Sequence, residues 1–238
     1  MELTVAPKRI AKFICLTILG LTTAHISMKV LKYLMGSTPI GYRLFDFDNE
    51  QNIPAWYSSS LLLFCAGLLY FIAQIKHRSA APYRYYWSFL SLVFLGLSLD
   101  EAVSLHEELI EPLRTNFNLS GVLYFSWVIP GIALVGILGF VYWKFLADLP
   151  AQTRKLILIA ASLYLVGAVG CELVGGKITE MSSSPRGLYG LVITLEELLE
   201  MLGLNVFLYA LMSYLVPYLQ TWNPPVKESL SPVGRDLK

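Results

Sequence analysis

The chain is poor in charged residues and in cysteine. Only 15% of its 238 residues are charged, 18 basic and 17 acidic, whereas a soluble domain carries about a quarter. So little charge, with a net value of +1, excludes a nucleic-acid-binding protein, whose surface is strongly basic. Three cysteines, all inside apolar runs, form neither a disulfide framework nor a metal-ligand spacing. With 55% hydrophobic residues and a mean hydropathy of +0.58, the composition indicates a membrane protein.

The short motifs of common enzyme classes are also missing. The sequence contains no C-x-x-C, H-x-x-x-H or H-E-x-x-H pattern, no nucleophile elbow, no phosphate loop and no dinucleotide fingerprint. These absences argue against haem, copper–thiolate and nucleotide chemistry. A function therefore has to be sought in other polar residues.

Six apolar stretches are long enough to cross a bilayer, which takes about 20 apolar residues. We therefore predict an all-α membrane protein, a bundle of six transmembrane helices forming one domain over residues 1–220, with a flexible cytoplasmic tail over 221–238. The predicted spans are 13–35, 55–75, 86–106, 122–146, 156–176 and 188–216.

The basic residues set the predicted orientation, because Lys and Arg concentrate on the cytoplasmic side. With both termini inside, the inner segments hold 12 of the 18 basic residues, and all five tryptophans fall near span ends. This favours an N-in/C-in topology. The short loops are typical of a bacterial inner (plasma) membrane.

The acidic residues are distributed unevenly. Thirteen of the 17 lie in the outer loops or the outer parts of spans three, five and six. Several of them lie too deep for bulk water, and a charge at the centre of a span costs about 2.5–3.5 kcal/mol. Such carboxylates must face a wet cavity, share protons or bind a cation.

These acids and one histidine form the predicted site. A carboxylate-rich set with one imidazole suits a divalent metal such as Mg, Ca, Mn, Fe or Zn, whose identity stays open. Glu101 and Glu172 are the predicted catalytic acid/base groups. The predicted metal ligands are Asp100, His106, Glu107, Glu196, Glu197 and Glu200.

Helical spacing makes further predictions about these residues. At about 100° per residue, Asp100, Ser104, Glu107 and Glu111 share one stripe. In span five, Gly167, Cys171 and Gly175 form a row of small residues that lets a neighbouring helix approach closely.

Two other polar features have plainer explanations. Asp46, Asp48 and Glu50 resemble the start of a calcium loop, but the glycine and the final glutamate of that loop are absent, so a turn is predicted there. His25, in the middle of the first span, is predicted to make an interhelical hydrogen bond.

The leading hypothesis is an outer-facing intramembrane site, metal-loaded, that acts on a lipid or other membrane-borne substrate; the partner is the bilayer and not nucleic acid. The outer face resembles, in general style, that of metal-dependent lipid hydrolases such as the alkaline ceramidases. Their paired histidines and seventh span are absent here, so the resemblance assigns no residue. The alternatives are a cation- or proton-coupled transporter and a non-catalytic assembly subunit whose acids bind a basic partner.

Overall fold

The structure is a computed structural model that describes residues 6–49, 51–181 and 186–220. It is 85% helical, and no strand occurs in these three ranges. The predicted tail 221–238, like Glu50, lies outside them. The α-helices are α1 Pro7–Met35, α2 Tyr42–Phe45, α3 Ile53–Arg78, α4 Arg84–Val103, α5 Ile110–Phe117, α6 Val128–Asp148, α7 Ala151–Leu165, α8 Glu172–Glu180 and α9 Arg186–Gln220.

Within the described ranges, five helical segments are long and apolar enough to span a membrane, which indicates a multi-pass membrane protein. They are Pro7–Met35, Ile53–Arg78, Arg84–Val103, Val128–Asp148 and Ala151–Glu180. Many of their large apolar side chains are exposed. Examples are Phe140, with 79% of its surface exposed, and Tyr85, with 67%. Such a surface suits lipid and would be a liability in water. The sixth predicted span corresponds to α9, which is not among the five, so the count of six is not confirmed.

Helix α9 occupies the centre of the bundle. It packs against α1, α3 and α7, and Met201, Leu208 and Leu211 on it are completely buried. The part of α9 that follows Glu200 is therefore core, whereas the preceding part carries the three glutamates of the predicted site.

Serine side chains join α3 to α4. Ser59 Oγ donates to the carbonyl of Ser98 at 2.7 Å, and Ser98 Oγ donates back to the carbonyl of Ser59 at 2.8 Å. Lower down, Ser91 Oγ donates to the carbonyl of Ala66 at 2.8 Å. Small hydroxyl residues let helices approach closely in lipid and satisfy their own polar groups there, so α4 is held in a fixed register against α3.

Two local departures from regular helix correct the sequence-based expectations. Helix α4 ends at Val103, and Ser104 takes a left-handed conformation with φ of 58°. The predicted stripe through Asp100, Ser104, Glu107 and Glu111 is therefore wrong, because α4 ends about one helical turn after Asp100. In the predicted fifth span, a π-helical turn over Val166–Cys171 separates α7 from α8.

Candidate functional site

An aspartate–histidine pair forms where α4 ends. Ser104 donates its backbone N–H to the carbonyl of Asp100 at 2.7 Å, which reverses the chain and brings His106 over the Asp100 side chain. Asp100 Oδ1 accepts the backbone N–H of His106 at 2.8 Å, and Oδ2 lies 3.0 Å from His106 Nδ1. Both carboxylate oxygens of Asp100 are thus used to orient this imidazole.

Trp127 connects this pair to α8. Its ring lies 4.8 Å from the His106 ring, centroid to centroid, and its Nε1 donates to Glu172 Oε1 at 2.9 Å. Residues from the end of α4, the start of α6 and the start of α8 therefore meet at one place.

Helices α4 and α9 face each other through a ladder of side-chain pairs. Trp87 stacks on Tyr214 with ring centroids 5.2 Å apart. Seven residues later on α4 and seven residues earlier on α9, Phe94 stacks on Phe207 with centroids 4.7 Å apart. Another step of seven, two helical turns, arrives at Glu101 on α4 and Glu200 on α9. Continuing the antiparallel register brings these two residues to the same level above the Phe94–Phe207 stack, and their carboxylates lie within electrostatic range of each other.

The other glutamates surround this pair. Four carboxylates lie within electrostatic range of Glu200, those of Glu197, Glu101, Glu196 and Glu172. Glu196 is in turn within range of Glu172 and His106. We name this group the carboxylate cluster; its members are Asp100, Glu101, Glu172, Glu196, Glu197 and Glu200, together with His106.

The π turn fits α7 and α8 closely against α9. A Cβ added at Gly167 would lie 2.9 Å from the carbonyl oxygen of Glu196 and 2.9 Å from Glu200 Cγ, so only glycine leaves room for the Glu200 side chain. One turn earlier, Tyr164 is within electrostatic range of Glu200 and Glu101. Single π turns occur frequently at functional sites.

The loop between α1 and α3 is tied to α9 beside the cluster. His25 is completely buried; its Nδ1 accepts the backbone N–H of Phe47 at 3.1 Å, and its Nε2 lies 3.1 Å from the hydroxyl of Thr194. The expected interhelical hydrogen bond of His25 is therefore present. Its partner, Thr194, lies two residues before Glu196 on α9.

The loop itself is a packed turn. Asp46 is buried and accepts the side-chain amide of Asn49 at 3.2 Å, while Asn52 accepts the backbone N–H of Ala55 at 2.8 Å and caps α3. The pKa of Tyr42 is raised to about 12, chiefly by burial and secondly by the nearby charge of Asp46. This phenol therefore stays protonated. The structure therefore contains the turn that was predicted around Asp46 and Asp48.

Glu107 stands apart from the other predicted metal ligands. It begins a 3₁₀ turn, Glu107–Leu109, where its side chain is exposed, although it remains within electrostatic range of Glu172. In the described ranges no group of three or more His, Cys, Asp or Glu residues is arranged to hold a metal ion.

The predicted close approach of a neighbouring helix at Gly167 is present, because α9 contacts this glycine. Sequence reasoning placed Trp127 only among the tryptophans near span ends, and it did not include Tyr164 and the Phe94–Phe207 stack. A signal for the last was present, because Trp87, Ser91, Phe94, Ser98 and Glu101 follow one another at steps of four and three. That spacing is typical of a single buried helix face, and Glu101 extends it.

The helices and the cluster define a multi-pass membrane protein with a polar site at one end of its bundle. The chain belongs to the family described as a domain of unknown function (DUF8692), whose model matches residues 13–215. The matched range contains every residue of the carboxylate cluster. Neither the curated proteins nor the solved structures contain a match to the chain.

Proposed function

We propose that this protein is a membrane enzyme whose carboxylate cluster binds a divalent cation and acts on a lipid or other membrane-borne substrate. The observation that carries the proposal is the ladder between α4 and α9, which ends in Glu101 facing Glu200 among four further carboxylates. Carboxylates crowded at this depth need positive charge, supplied by a cation or by protons.

The donor set suits such a cation. Carboxylate oxygens with one imidazole are ligands for Mg, Mn, Fe or Zn, and a metal-binding histidine usually has its other ring nitrogen held by a carboxylate. Asp100 holds His106 in this way at Nδ1. We therefore assign Asp100 to orienting His106 rather than to direct ligation. The proposed ligands are His106 Nε2 and the glutamates of α9, with Glu107 moving in from the 3₁₀ turn.

Glu101 and Glu172 are the proposed general acid and base. Each is linked to the histidine side of the cluster, Glu172 through the Trp127 indole and Glu101 through electrostatic proximity to His106. A bound cation would supply Lewis-acid polarisation or an activated water. The protein's own groups would position the substrate and move the proton.

The proposal includes a six-span, N-in/C-in topology in a bacterial inner membrane, with α9 as the sixth span and the cluster toward the outside. In a chain whose own cysteines are replaced by alanine, Ser120→Cys and Ser79→Cys introduce exposed thiols at opposite ends of the bundle. A membrane-impermeant thiol reagent added to intact cells should label the first and not the second. The reverse pattern contradicts the orientation.

The test of function is the metal content of the detergent-purified protein, measured by mass spectrometry. Stoichiometric metal is expected in the parent and in Glu108→Gln, an exposed control carboxylate, and its loss is expected in the double variant Glu197→Gln, Glu200→Gln. The bound ion is then supplied with membrane lipid extracts, and lipid products are sought by mass spectrometry. Absence of metal from the parent, or equal metal in both variants, contradicts the proposal.

Proton- or cation-coupled transport is the second candidate. It is favoured by the run of neighbouring carboxylates from Glu172 through Glu196 to Glu200, which resembles the outer half of an ion path. The Phe94–Phe207 stack lies where the path would have to continue, and this favours a site open to one side. Uptake of protons or cations into sealed vesicles, abolished by Glu200→Gln, would reverse this preference.

A further inference from the structure

A cavity of about 200 Å³ opens at the end of the bundle away from the carboxylate cluster. Here α3, α6 and α9 finish while α4 and α7 begin. Its walls include Lys76, Trp87, Phe145 and Tyr214. Pockets for drug-sized ligands start at about 300 Å³, so this one suits a headgroup-sized molecule.

One wall of the cavity holds a fixed positive charge. Lys76 Nζ donates to the hydroxyl of Tyr218 at 2.7 Å, and the same ammonium lies 4.4 Å from the centre of the Tyr218 ring and 5.0 Å from that of Tyr214. A lysine otherwise loses much side-chain entropy when it binds an anion. Contact with the two tyrosines already restricts the Lys76 side chain, so less entropy is lost when an anion binds.

The cavity also carries a fixed negative charge. Asp148 Oδ2 accepts the hydroxyl of Tyr83 at 2.6 Å, and this hydrogen bond raises the pKa of the Tyr83 phenol. Tyr83 has a φ of 59°, a left-handed conformation that is rare for a bulky residue. The Tyr83 ring packs edge-to-face with the rings of Tyr86 and Phe145, at centroid distances of 5.3 and 5.6 Å. This packing holds the strained turn in place.

The position of the cavity limits what can fill it. It lies at the ends of α3, α4 and α6, three of the helices that are apolar enough to span the membrane. Phospholipid headgroups are concentrated at this level, and basic pockets between helix ends bind them. Lys76 suits the headgroup phosphate. Asp148 and the aromatic rings suit an ammonium, and Asp148 would repel a headgroup with a net negative charge.

We propose that this cavity binds the headgroup of an amine-bearing zwitterionic phospholipid, of the phosphatidylethanolamine class, through its phosphate at Lys76 and its primary ammonium at Asp148. A primary ammonium donates hydrogen bonds to a carboxylate, which the quaternary ammonium of phosphatidylcholine does not do. This site is separate from the carboxylate cluster and does not rest on the proposed function.

The test is lipid retention by the full-length protein. Delipidated protein is mixed with equal amounts of phosphatidylethanolamine, phosphatidylcholine and phosphatidylglycerol, and bound lipid is counted by native mass spectrometry. Retention of phosphatidylethanolamine should exceed that of the other two by about fivefold, the effect of one headgroup charge contact. Equal retention of the three, or preference for phosphatidylglycerol, overturns the proposal.

Two variants separate the contacts. Asp148→Asn should remove the preference for phosphatidylethanolamine over phosphatidylglycerol, and Lys76→Gln should lower retention of all three lipids. Lys144→Gln, a control at an exposed lysine near the end of α6, should change neither. Unchanged selectivity in Asp148→Asn contradicts the proposal even if Lys76→Gln is poorly folded.

Soluble competitors distinguish the lipid headgroup from a free anion. Phosphoethanolamine should displace the retained phosphatidylethanolamine, whereas inorganic phosphate at the same concentration should not. Equal displacement by the two identifies a simple phosphate site and overturns the assignment of the ammonium to Asp148.

Discussion

Phe94 and Phe207 stack with ring planes only 11° from parallel, directly below the level at which Glu101 faces Glu200. The rings separate the carboxylate cluster from the apolar half of the bundle. They also fix the spacing of α4 and α9, so the geometry of the glutamate pair depends on them.

Phe94→Ala should therefore destabilise the protein by about 3 kcal/mol, the lower end of the range for Phe-to-Ala changes in a core. Phe89→Ala is the matched control on the same helix, because Phe89 is 52% exposed and faces lipid. Denaturant titration in detergent measures both. Equal losses in the two variants would mean that the stack does not hold α4 against α9.

Replacing the facing glutamates should stabilise the protein while removing its function. In metal-free protein the double variant Glu101→Leu, Glu200→Leu should raise the free energy of unfolding by about 1–4 kcal/mol, since buried charged groups replaced by apolar ones of similar size are often stabilising. For a chain of this length each kcal/mol corresponds to about 2–4 °C in melting temperature.

The control for this prediction is Glu108→Leu, at an exposed position where no gain is expected. Thermal unfolding is followed in detergent with a chelator present. A lower melting temperature for the double variant would show that the two glutamates are hydrogen-bonded parts of the fold and not strained functional groups.

Gly167→Ala should cost about 1–3 kcal/mol, the usual cost of overpacking, because the new methyl group would overlap the carbonyl of Glu196 and the side chain of Glu200. Gly170→Ala is an apt control in the same π turn. Its Cβ would lie 3.7 Å from Val166 Cγ1, an ordinary contact. Melting temperatures of the two variants, and metal binding by each, decide whether Gly167 is required for the cluster.

Asp100 and His106 should behave as one unit. In a double-mutant cycle with Asp100→Asn and His106→Ala, we expect a coupling energy of about 1–3 kcal/mol, typical of residues that share a hydrogen-bond network. Glu111 and Arg114 form an exposed ion pair on α5 and serve as the reference cycle, for which 0–1 kcal/mol is expected. Coupling no greater than in the reference would show that Asp100 does not hold His106 in solution.

The sequence predicted the helical membrane architecture because long apolar runs and their breakers are local signals. It also placed deep acids on three separate helices, and the structure brings Glu101 and Glu172 within electrostatic range of Glu200. The Asp100–His106 pair could not be anticipated. It depends on Ser104 adopting a left-handed conformation that usually requires glycine or asparagine, and nothing in the neighbouring residues signals this.

The π turn was equally hidden, because it contains the same small and apolar residues as a regular helix. Sequence periodicity assumes a constant rotation per residue. A single wider turn invalidates that assumption for every residue beyond it without changing the composition.

Gly167 and Glu172 illustrate what the wider turn does. Five residues apart on a regular α-helix, they would point about 140° away from each other. In a π turn, hydrogen bonds join residue i to residue i+5, so positions five apart lie one above the other. The π turn therefore takes up one extra residue between the α-helical lengths α7 and α8. Deleting one residue within Val166–Cys171 would place Glu172 four positions after Gly167, about one turn of a regular α-helix, so the π turn would be lost while Glu172 and α8 kept their face toward α9.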